Sequence, residues 1–371
     1  MTILFVGHHS PGQKQINDTT LVYSAAGDLV QENIFRNLLK INSDSKFYTM
    51  QPCQAWPKGP LVISKVNKLN GTFSGNITLP LLRHIFFSIN LACQIIKLKP
   101  SEVICYNSYF FENATVVSLS KIFKFKTAII LQDIRVGGNF PKHQQLSDVI
   151  ANKLVKFFDI SVVVSKCMQS YLKLSSSSSS KHRSIVFPGG VSDFGEKAFS
   201  FDGPLHDYAV FAGALEKHNG IDKLITTWIN DQIRVDLHIF GSGKLTKFVS
   251  EMADIHSNIY YHGFASQEVI FEWQVKAKFN FCFRFSEGIK QEFFFPSKFF
   301  NSVMCPGLLI FNDFSNVPDE LKLTEGYIGN DFSKIKKIVE NFNSINYSND
   351  ARNLISTKYS WQKLLSKLVC E

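Results

Sequence analysis

Short apolar runs alternate with longer amphipathic stretches along the whole chain. In the first half this pattern predicts buried strands separated by helices, which is typical of a parallel sheet. A polar segment at 67–78 and six consecutive serines at 175–180 are predicted as loops. The predicted strands span residues 3–6, 102–106, 127–131, 160–164 and 184–187, with helices at 28–40, 79–98, 114–123, 146–158 and 168–174.

The second half repeats this alternation after a segment without periodicity. Residues 192–206 are rich in Gly, Pro and Asp, which predicts a linker between two domains. We therefore expect two doubly wound, Rossmann-like α/β domains at 1–191 and 207–355, and a final helix in 356–371 that returns to the first domain. Later strands are predicted at 208–211, 235–240, 258–261, 279–283 and 308–311, and helices after Gly220 and at 335–343 and 361–369.

The most informative stretch is 207–228. It predicts a buried strand, a turn that opens at Gly213, and a helix with one continuous apolar face after Gly220. Such a turn directs free backbone N–H groups towards one point, where an anion can bind.

Composition narrows the class of protein. The chain has 371 residues, of which 45% are hydrophobic and 19% charged, so it is globular and long enough for two cores. The net charge of +9 fits nucleic acid, an anionic membrane surface or a phosphorylated ligand, or only a basic solvated surface. Because the lysines are scattered and no basic-aromatic motif occurs, nucleic acid is the weakest of these partners.

Cysteine usage and hydropathy indicate a cytoplasmic protein. The seven cysteines are widely spaced and mostly lie in apolar runs, which predicts buried free thiols in a reducing compartment. No signal peptide is recognisable, and the apolar helix at 79–98 is interrupted by Arg83 and His84. That helix is either a core helix or one that lies on a membrane interface with its basic residues at lipid phosphates. No metal-binding spacing is present, so no metal is expected.

Several segments, taken in order, resemble retaining glycosyltransferases of family four, which have the GT-B fold. The resemblance covers nearly the whole chain and is most specific between residues 185 and 312. The matching segments are FPGGV (187–191), FAGALEKHNGI (211–221), HIFGSGKL (238–245), YYHGF (260–264), FPSKFFNSVMCPGLLIF (295–311) and KYSW (358–361).

This resemblance implies a nucleotide diphosphate sugar as donor and a metal-independent reaction without a cofactor. The family's first turn carries an Arg and a Lys that bind the diphosphate, but Ala214 and Asn219 occupy those positions. We expect Arg284 and Lys298 to supply the missing charge. Backbone amides at Gly213, Ser242 and Gly243, and Ser297 of the P-S-K turn, complete the expected donor site.

Two carboxylates of the family pattern are also altered. Asn301 stands where a Glu usually binds the ribose, and an amide still hydrogen-bonds a hydroxyl. The family's second glutamate lies near the donor sugar. Either Glu287 or Glu292 could take its place, and the spacing does not decide between them.

The acceptor is expected to bind the first domain. The resemblance places Asp133 at a strand end where it orients the acceptor hydroxyl. His8, in the turn after the first strand, and Arg135 either contact the acceptor or are loop residues without such a role. The resemblance implies retention without a protein nucleophile, in the synthesis of a bacterial capsule or O-antigen on a lipid-diphosphate-linked saccharide at the inner membrane face. Because three family side chains are absent, a non-catalytic scaffold that binds saccharide or a partner transferase is the main alternative, and a nucleotide-sugar epimerase a third.

Overall fold

The computed structural model describes residues 2–9, 25–80, 82–134, 142–174, 182–286, 290–342 and 349–370. They form two compact units. The first contains the described residues up to Pro188 and the last helix from Trp361, and the second runs from Gly189 to Ser360. Each is an α/β unit built on a parallel sheet, so the predicted fold class is confirmed.

The sheet of the first unit has eight strands, in the order β10-β9-β8-β7-β1-β2-β5-β4. The strands of this unit are β1 (Ile3–His8), β2 (Lys46–Met50), β3 (Val62–Ile63), β4 (Val66–Lys68), β5 (Gly71–Ser74), β6 (Asn76–Ile77), β7 (Glu102–Tyr106), β8 (Lys126–Leu131), β9 (Ile160–Val163) and β10 (Arg183–Val186). Strands β3 and β6 pair with each other in a separate antiparallel sheet. The helices of this unit are α1 (Ala25–Ile41), α2 (Leu82–Leu98), α3 (Phe110–Phe123), α4 (Lys142–Asn152), α5 (Lys166–Tyr171) and α13 (Trp361–Cys370). Helix α13 packs beside α1, which confirms that the chain returns to this unit.

The polar segment at 67–78 is not a loop, contrary to the prediction. Strand β5 in this segment pairs parallel with β2 and antiparallel with β4. Despite this polar composition Phe73 and Ser74 are buried, and Phe73 packs on Phe47 with ring centroids 5.1 Å apart. The predicted helix at 146–158 is also interrupted, since α4 ends at Asn152 and a separate 3-10 turn covers Val155–Phe157. The six serines lie outside the described residues.

The second unit has a six-stranded sheet in which all neighbouring strands are parallel, in the order β13-β12-β11-β14-β15-β16. Its strands are β11 (His206–Ala212), β12 (Asp236–Phe240), β13 (Ile259–Tyr261), β14 (Ala277–Cys282), β15 (Leu308–Asn312) and β16 (Tyr327–Gly329). Its helices are α6 (Asp193–Phe199), α7 (Ile221–Asn230), α8 (Thr246–Ile255), α9 (Gln267–Lys276), α10 (Phe299–Val303), α11 (Lys334–Glu340) and α12 (Asn349–Lys358).

The predicted linker contains helix α6. Ser192 precedes this helix as its N-cap, and its hydroxyl accepts a hydrogen bond from the Phe194 N–H at 3.2 Å. This capping interaction favours a short helix although the segment has no apolar periodicity.

Helix α7 buries the apolar face that its sequence predicts. Its residues Ile221, Leu224, Ile225 and Trp228 are at most 1% exposed and form one core with strand residues. The indole N–H of Trp228 donates to the Val235 carbonyl at 3.0 Å, so the one polar atom of this side chain is satisfied.

Each sheet has a point where the strand order reverses, between β1 and β7 in the first unit and between β11 and β14 in the second. Ligands of doubly wound sheets bind beyond the carboxyl ends of the strands at such points. Among the described residues no helix is long and apolar enough to cross a membrane. Of the six cysteines whose side chains are described, Cys53, Cys105, Cys282 and Cys305 are buried free thiols, as expected for most of them, whereas Cys93 and Cys167 are exposed.

Candidate functional site

The turns that follow β11 and β12 are joined by backbone hydrogen bonds. The Gly213 N–H donates to the Phe240 carbonyl and the Leu215 N–H donates to the Ser242 carbonyl, both at 3.0 Å. Gly241 has φ +136°, and a Cβ there would overlap the Gly213 carbonyl. The two turns therefore form one continuous edge at the carboxyl end of the sheet.

Lys298 reaches this edge from the start of α10. Its Nζ donates to the carbonyl oxygen of Ala212, the last residue of β11, and lies 4.9 Å from the centroid of the Phe211 ring. A Cβ at Gly213 would collide with the same Nζ. Gly213 thus provides the space through which the lysine reaches the end of β11, and this contact brings together two of the predicted donor-site residues.

Replacing Gly213 with alanine is expected to displace the Lys298 amine, because the new methyl group would occupy its position. We expect the nucleotide affinity of Gly213→Ala to fall by about tenfold or more, which is the cost of one lost charge-assisted hydrogen bond. Isothermal titration with a nucleoside diphosphate measures this. The control is Gly263→Ala, which also replaces a glycine of positive φ (+72°) but adds a Cβ that would meet no atom within 4 Å.

Arg284 reaches the same turn from the end of β14. Its backbone is held on both sides by the buried Asn312, which accepts from the Arg284 N–H at 2.8 Å and donates to its carbonyl at 2.9 Å. Its Nη1 donates to Asn219 Oδ1 at 3.0 Å, and Asn219 Nδ2 donates to the Ala214 carbonyl at 2.8 Å. The two positions that lack the family's cations are therefore hydrogen-bonded to each other, and Arg284 is bonded to one of them.

The charge of Arg284 affects the protonation of Lys298. Burial lowers the pKa of Lys298 below its usual value, and the charge of Arg284 lowers it further, although Cys282 acts in the opposite direction. Among the described residues Lys298 forms no ion pair with a carboxylate. A bound diphosphate would offset this repulsion and favour the charged form of the lysine.

The other predicted donor residues stand in different surroundings. Ser242 and Gly243 are exposed, but the Gly243 N–H already donates to Thr246 Oγ1 at 3.0 Å. Asn301 Oδ1 accepts from both the N–H and the hydroxyl of Ser192 at 2.9 Å, so this oxygen holds the start of α6. Asn301 thus has a structural role, fixing the start of α6, that the sequence motif does not indicate.

Ser297 and Glu292 are partly buried beside the P-S-K turn, Glu292 within the 3-10 turn Gln291–Phe293. Glu287 lies outside the described residues. The choice between Glu287 and Glu292 beside the sugar therefore stays open.

In the first unit, His8 ends β1 at the reversal point of the sheet. Its ring stacks on Tyr109 with centroids 3.7 Å apart, and its Nε2 lies 3.4 Å from Glu112 Oε1. His84 Nδ1 lies 2.8 Å from the same oxygen. Gln31 accepts from the His8 N–H at 2.9 Å and donates to the His8 carbonyl, which fixes the end of the strand. The sequence indicated His8 for the acceptor side but not Tyr109 or Glu112, and it named His84 only as a basic residue of its helix.

Glu112 is ionised in this cluster. Burial alone would raise the pKa of this carboxyl, but hydrogen bonds with His8 and His84 outweigh it and lower the pKa to about 2. Burial lowers the pKa of His8 below 6.5, against the effect of Glu112, so the ring is neutral at pH 7. Its Nε2–H then faces Glu112, and its Nδ1, which makes no hydrogen bond with the described residues, is left as an acceptor.

The same three side chains offer ligand atoms within 4.8 Å of one another, a set that zinc can bind. Arg83 Nε donates to His84 Nε2 at 3.3 Å, so the proton of His84 lies on Nδ1 and is donated to Glu112. A metal at Nδ1 would require the loss of that proton. The arrangement is therefore that of a hydrogen-bonded network, and the absence of a metal stays an expectation.

Asp133 follows β8 and is exposed at the same edge of the sheet. Its Oδ1 accepts from Asn107 Nδ2 at 3.1 Å, and Asn107 Oδ1 accepts from the Gln132 N–H at 2.9 Å. Asn107, after β7, has φ +57° and positions this carboxylate. Arg135 lies outside the described residues.

Comparisons with known proteins agree on the fold. No family model and no curated protein matches the chain. Among solved structures, sucrose-phosphate synthase from Thermosynechococcus elongatus superposes with a TM-score of 0.66 at 12% identity, over 99% of this chain and 98% of that chain. A trehalose-6-phosphate structure from E. coli bound with UDP-2-fluoro glucose gives 0.65 at 11% identity, over 99% of both chains.

A lipopolysaccharide outer core galactosyltransferase, WaaB, gives a TM-score of 0.60 at 13% identity, over 100% of this chain and 99% of that chain. Identities this low describe the fold alone. The class of fold is GT-B, with two Rossmann-like units.

Proposed function

We propose that this protein is a metal-independent glycosyltransferase that moves a sugar from a nucleotide diphosphate sugar to a saccharide or lipid-linked acceptor. The observation that carries the proposal is the meeting of Lys298 and Arg284 at the turn after β11. Cleavage of the donor leaves a nucleoside diphosphate, so the site must stabilise negative charge that develops on the β-phosphate. Two cations at the reversal point of the sheet supply that charge without a metal ion.

The acceptor side of the proposal concerns His8 and Asp133. The neutral His8 ring offers an accepting nitrogen held in place by Glu112, and Asp133 offers an exposed carboxylate held by Asn107. Both can accept a hydrogen bond from a sugar hydroxyl. The resemblance to family four supports retention and a role in bacterial surface polysaccharide synthesis, with a lipid-diphosphate-linked acceptor at the cytoplasmic face of the membrane.

A non-catalytic scaffold is the second candidate, since Asn219 and Asn301 are used in contacts within the chain. The two candidates differ in what the donor site must bind. A scaffold has no need for a nucleotide sugar.

Nucleotide sugars are expected to stabilise the protein against heat. At a ligand concentration 100 times Kd, binding adds about 2.7 kcal/mol to the free energy of unfolding. A thermal melt with UDP-, GDP-, ADP- and dTDP-sugars, without and with EDTA, should show a clear rise in Tm for one base and no loss with EDTA. No shift with any of them would contradict the enzyme and favour the scaffold.

A further inference from the structure

Helix α2 of the first unit presents an apolar face to solvent. Its opposite side is buried in the unit through Phe87, Leu91 and Ile95. Every exposed residue of the helix except Lys97 is apolar or a cysteine, and these residues recur every three or four positions, which aligns them in one stripe. The stripe consists of Leu82, Phe86, Ile89, Cys93 and Ile96, of which Ile89 is 59% exposed.

The neighbouring helices extend this apolar face. Helix α2 packs beside α3, and α3 packs beside α4. Exposed apolar side chains of α3, α4 and the 3-10 turn after α4 are Phe110, Ile122, Phe123, Leu146, Val149, Ile150 and Phe157. Soluble proteins rarely leave so many large apolar side chains together on one surface. We call the exposed faces of α2, α3, α4 and this turn the docking surface.

The charges on the docking surface have one sign. Exposed lysines follow or end each of its helices, namely Lys97, Lys121, Lys124, Lys153 and Lys156. Among the described residues of these helices the carboxylates are Glu112 and Asp148, and both are buried. Lys121 and Lys156 both lie over the half-exposed ring of Phe157, at 5.6 and 5.3 Å from its centroid. Apolar and cationic groups are therefore interleaved.

We propose that the docking surface binds an anionic phospholipid bilayer, with α2 lying in the plane of the interface. A helix of this length spans about 25 Å. Its apolar stripe fits the acyl boundary, and the lysines fit the phosphates of anionic headgroups. A second copy of the chain on this surface would place lysines against lysines, which disfavours a dimer. The inference deepens the proposed function by locating the membrane contact, but it rests on residues outside the donor site.

Vesicle co-sedimentation tests this directly with the full chain. We expect binding to phosphatidylcholine vesicles that contain phosphatidylglycerol, weaker binding to phosphatidylcholine alone, and a decrease with added salt. The variant Ile89→Asp/Ile96→Asp should bind at least about tenfold more weakly, since it places carboxylates in the stripe. The matched control is Leu69→Asp, a 93% exposed leucine outside the docking surface, which should bind like the wild type.

A second variant keeps the test decisive if the first one misfolds. Lys121→Glu/Lys156→Glu should weaken anionic vesicle binding by about fivefold or more per lysine, and Lys244→Glu in the second unit should not. The proposal would be overturned if the wild-type protein did not bind anionic vesicles. It would also be overturned if both double variants bound them as well as the wild type does. A wild-type dimer that both double variants convert to monomer, without any vesicle binding, would overturn it as well.

The Tm shift with nucleotide sugars, measured without lipid, separates this proposal from the proposed function. The docking-surface variants should keep that shift. If a docking-surface variant loses vesicle binding but keeps the Tm shift, the result bears on membrane binding alone. If wild-type protein binds vesicles but shows no Tm shift with any nucleotide sugar, only the proposed transferase activity is refuted.

Discussion

Replacing Lys298 with alanine is expected to lower kcat/KM for sugar transfer by about 100- to 1,000-fold, the usual cost of removing one donor to a charge that develops in the transition state. The side chain reaches the end of β11, where its amine donates to the Ala212 carbonyl and lies close to the cationic Arg284. Without it, the β-phosphate loses one of two cations. Steady-state release of the nucleoside diphosphate measures the effect.

Lys244→Ala is the matched control for this variant. Lys244 lies in the next turn of the same edge, is 88% exposed and only approaches Glu216 at 3.8 Å. Its removal should leave the rate within a factor of about two, as for an exposed ion pair. Equal activity of Lys298→Ala and Lys244→Ala would remove the main support for the proposed function. An unchanged polysaccharide phenotype of Lys298→Ala in cells would favour the scaffold.

Replacing Glu112 with glutamine is expected to destabilise the protein by about 3 kcal/mol, because the two imidazoles lose the buried carboxylate they share. The glutamine has the same shape, so the effect reports charge and hydrogen bonding rather than a cavity. Urea unfolding measures it. Glu32→Gln is the control, since Glu32 pairs with Arg36 on an exposed helical turn and should contribute less than about 1 kcal/mol.

The decrease in the free energy of unfolding at acid pH gives an independent check of the network of His8, His84 and Glu112. The pKa of Glu112 is about 2 in the folded protein against 4.5 for a free carboxyl, so its contribution is present above pH 4.5 and is lost as the pH falls towards 2. The pKa of His8 is also lower than the usual 6.5, so the contribution of the neutral ring is lost as the pH falls below 6.5. Glu112→Gln should therefore lose less stability between pH 4.5 and 2 than the wild type. An unchanged loss in this variant would mean that Glu112 is not ionised.

Much of the fold could be predicted from periodicity. Strands such as β7 and the apolar face of α7 follow directly from runs and spacing of buried residues. Strand β5 could not be predicted, because it is only four residues long and only Phe73 of its residues is a large apolar side chain. Helix α6 was missed because its start depends on the Ser192 cap and on Asn301, which is 109 residues away in the chain.

In the candidate site, too, some residues could be predicted from the sequence and others could not. The glycine and P-S-K motifs indicated Gly213 and Lys298, since they are local in sequence. The contact of Arg284 with Asn219 joins residues 65 apart, and the grouping of His8, His84 and Glu112 depends on the packing of α2 and α3 against the end of β1. No pattern in the sequence marks such pairs. The roles of all these site residues, and of Asp133, Ser242, Ser297 and Glu292, stay predictions.

The hydrogen bonds that join the turns after β11, β12 and β13 also affect the entropy change when a donor binds. The Gly213, Leu215 and Gly241 amides each donate to a carbonyl of a neighbouring strand or turn. Such amides should exchange slowly with deuterium in the free protein, and a nucleotide should slow them little further. The backbone at this edge is then ordered before the donor arrives. The entropy lost on binding would come from the donor and from the Lys298 and Arg284 side chains, and not from a loop that has to fold around the phosphates.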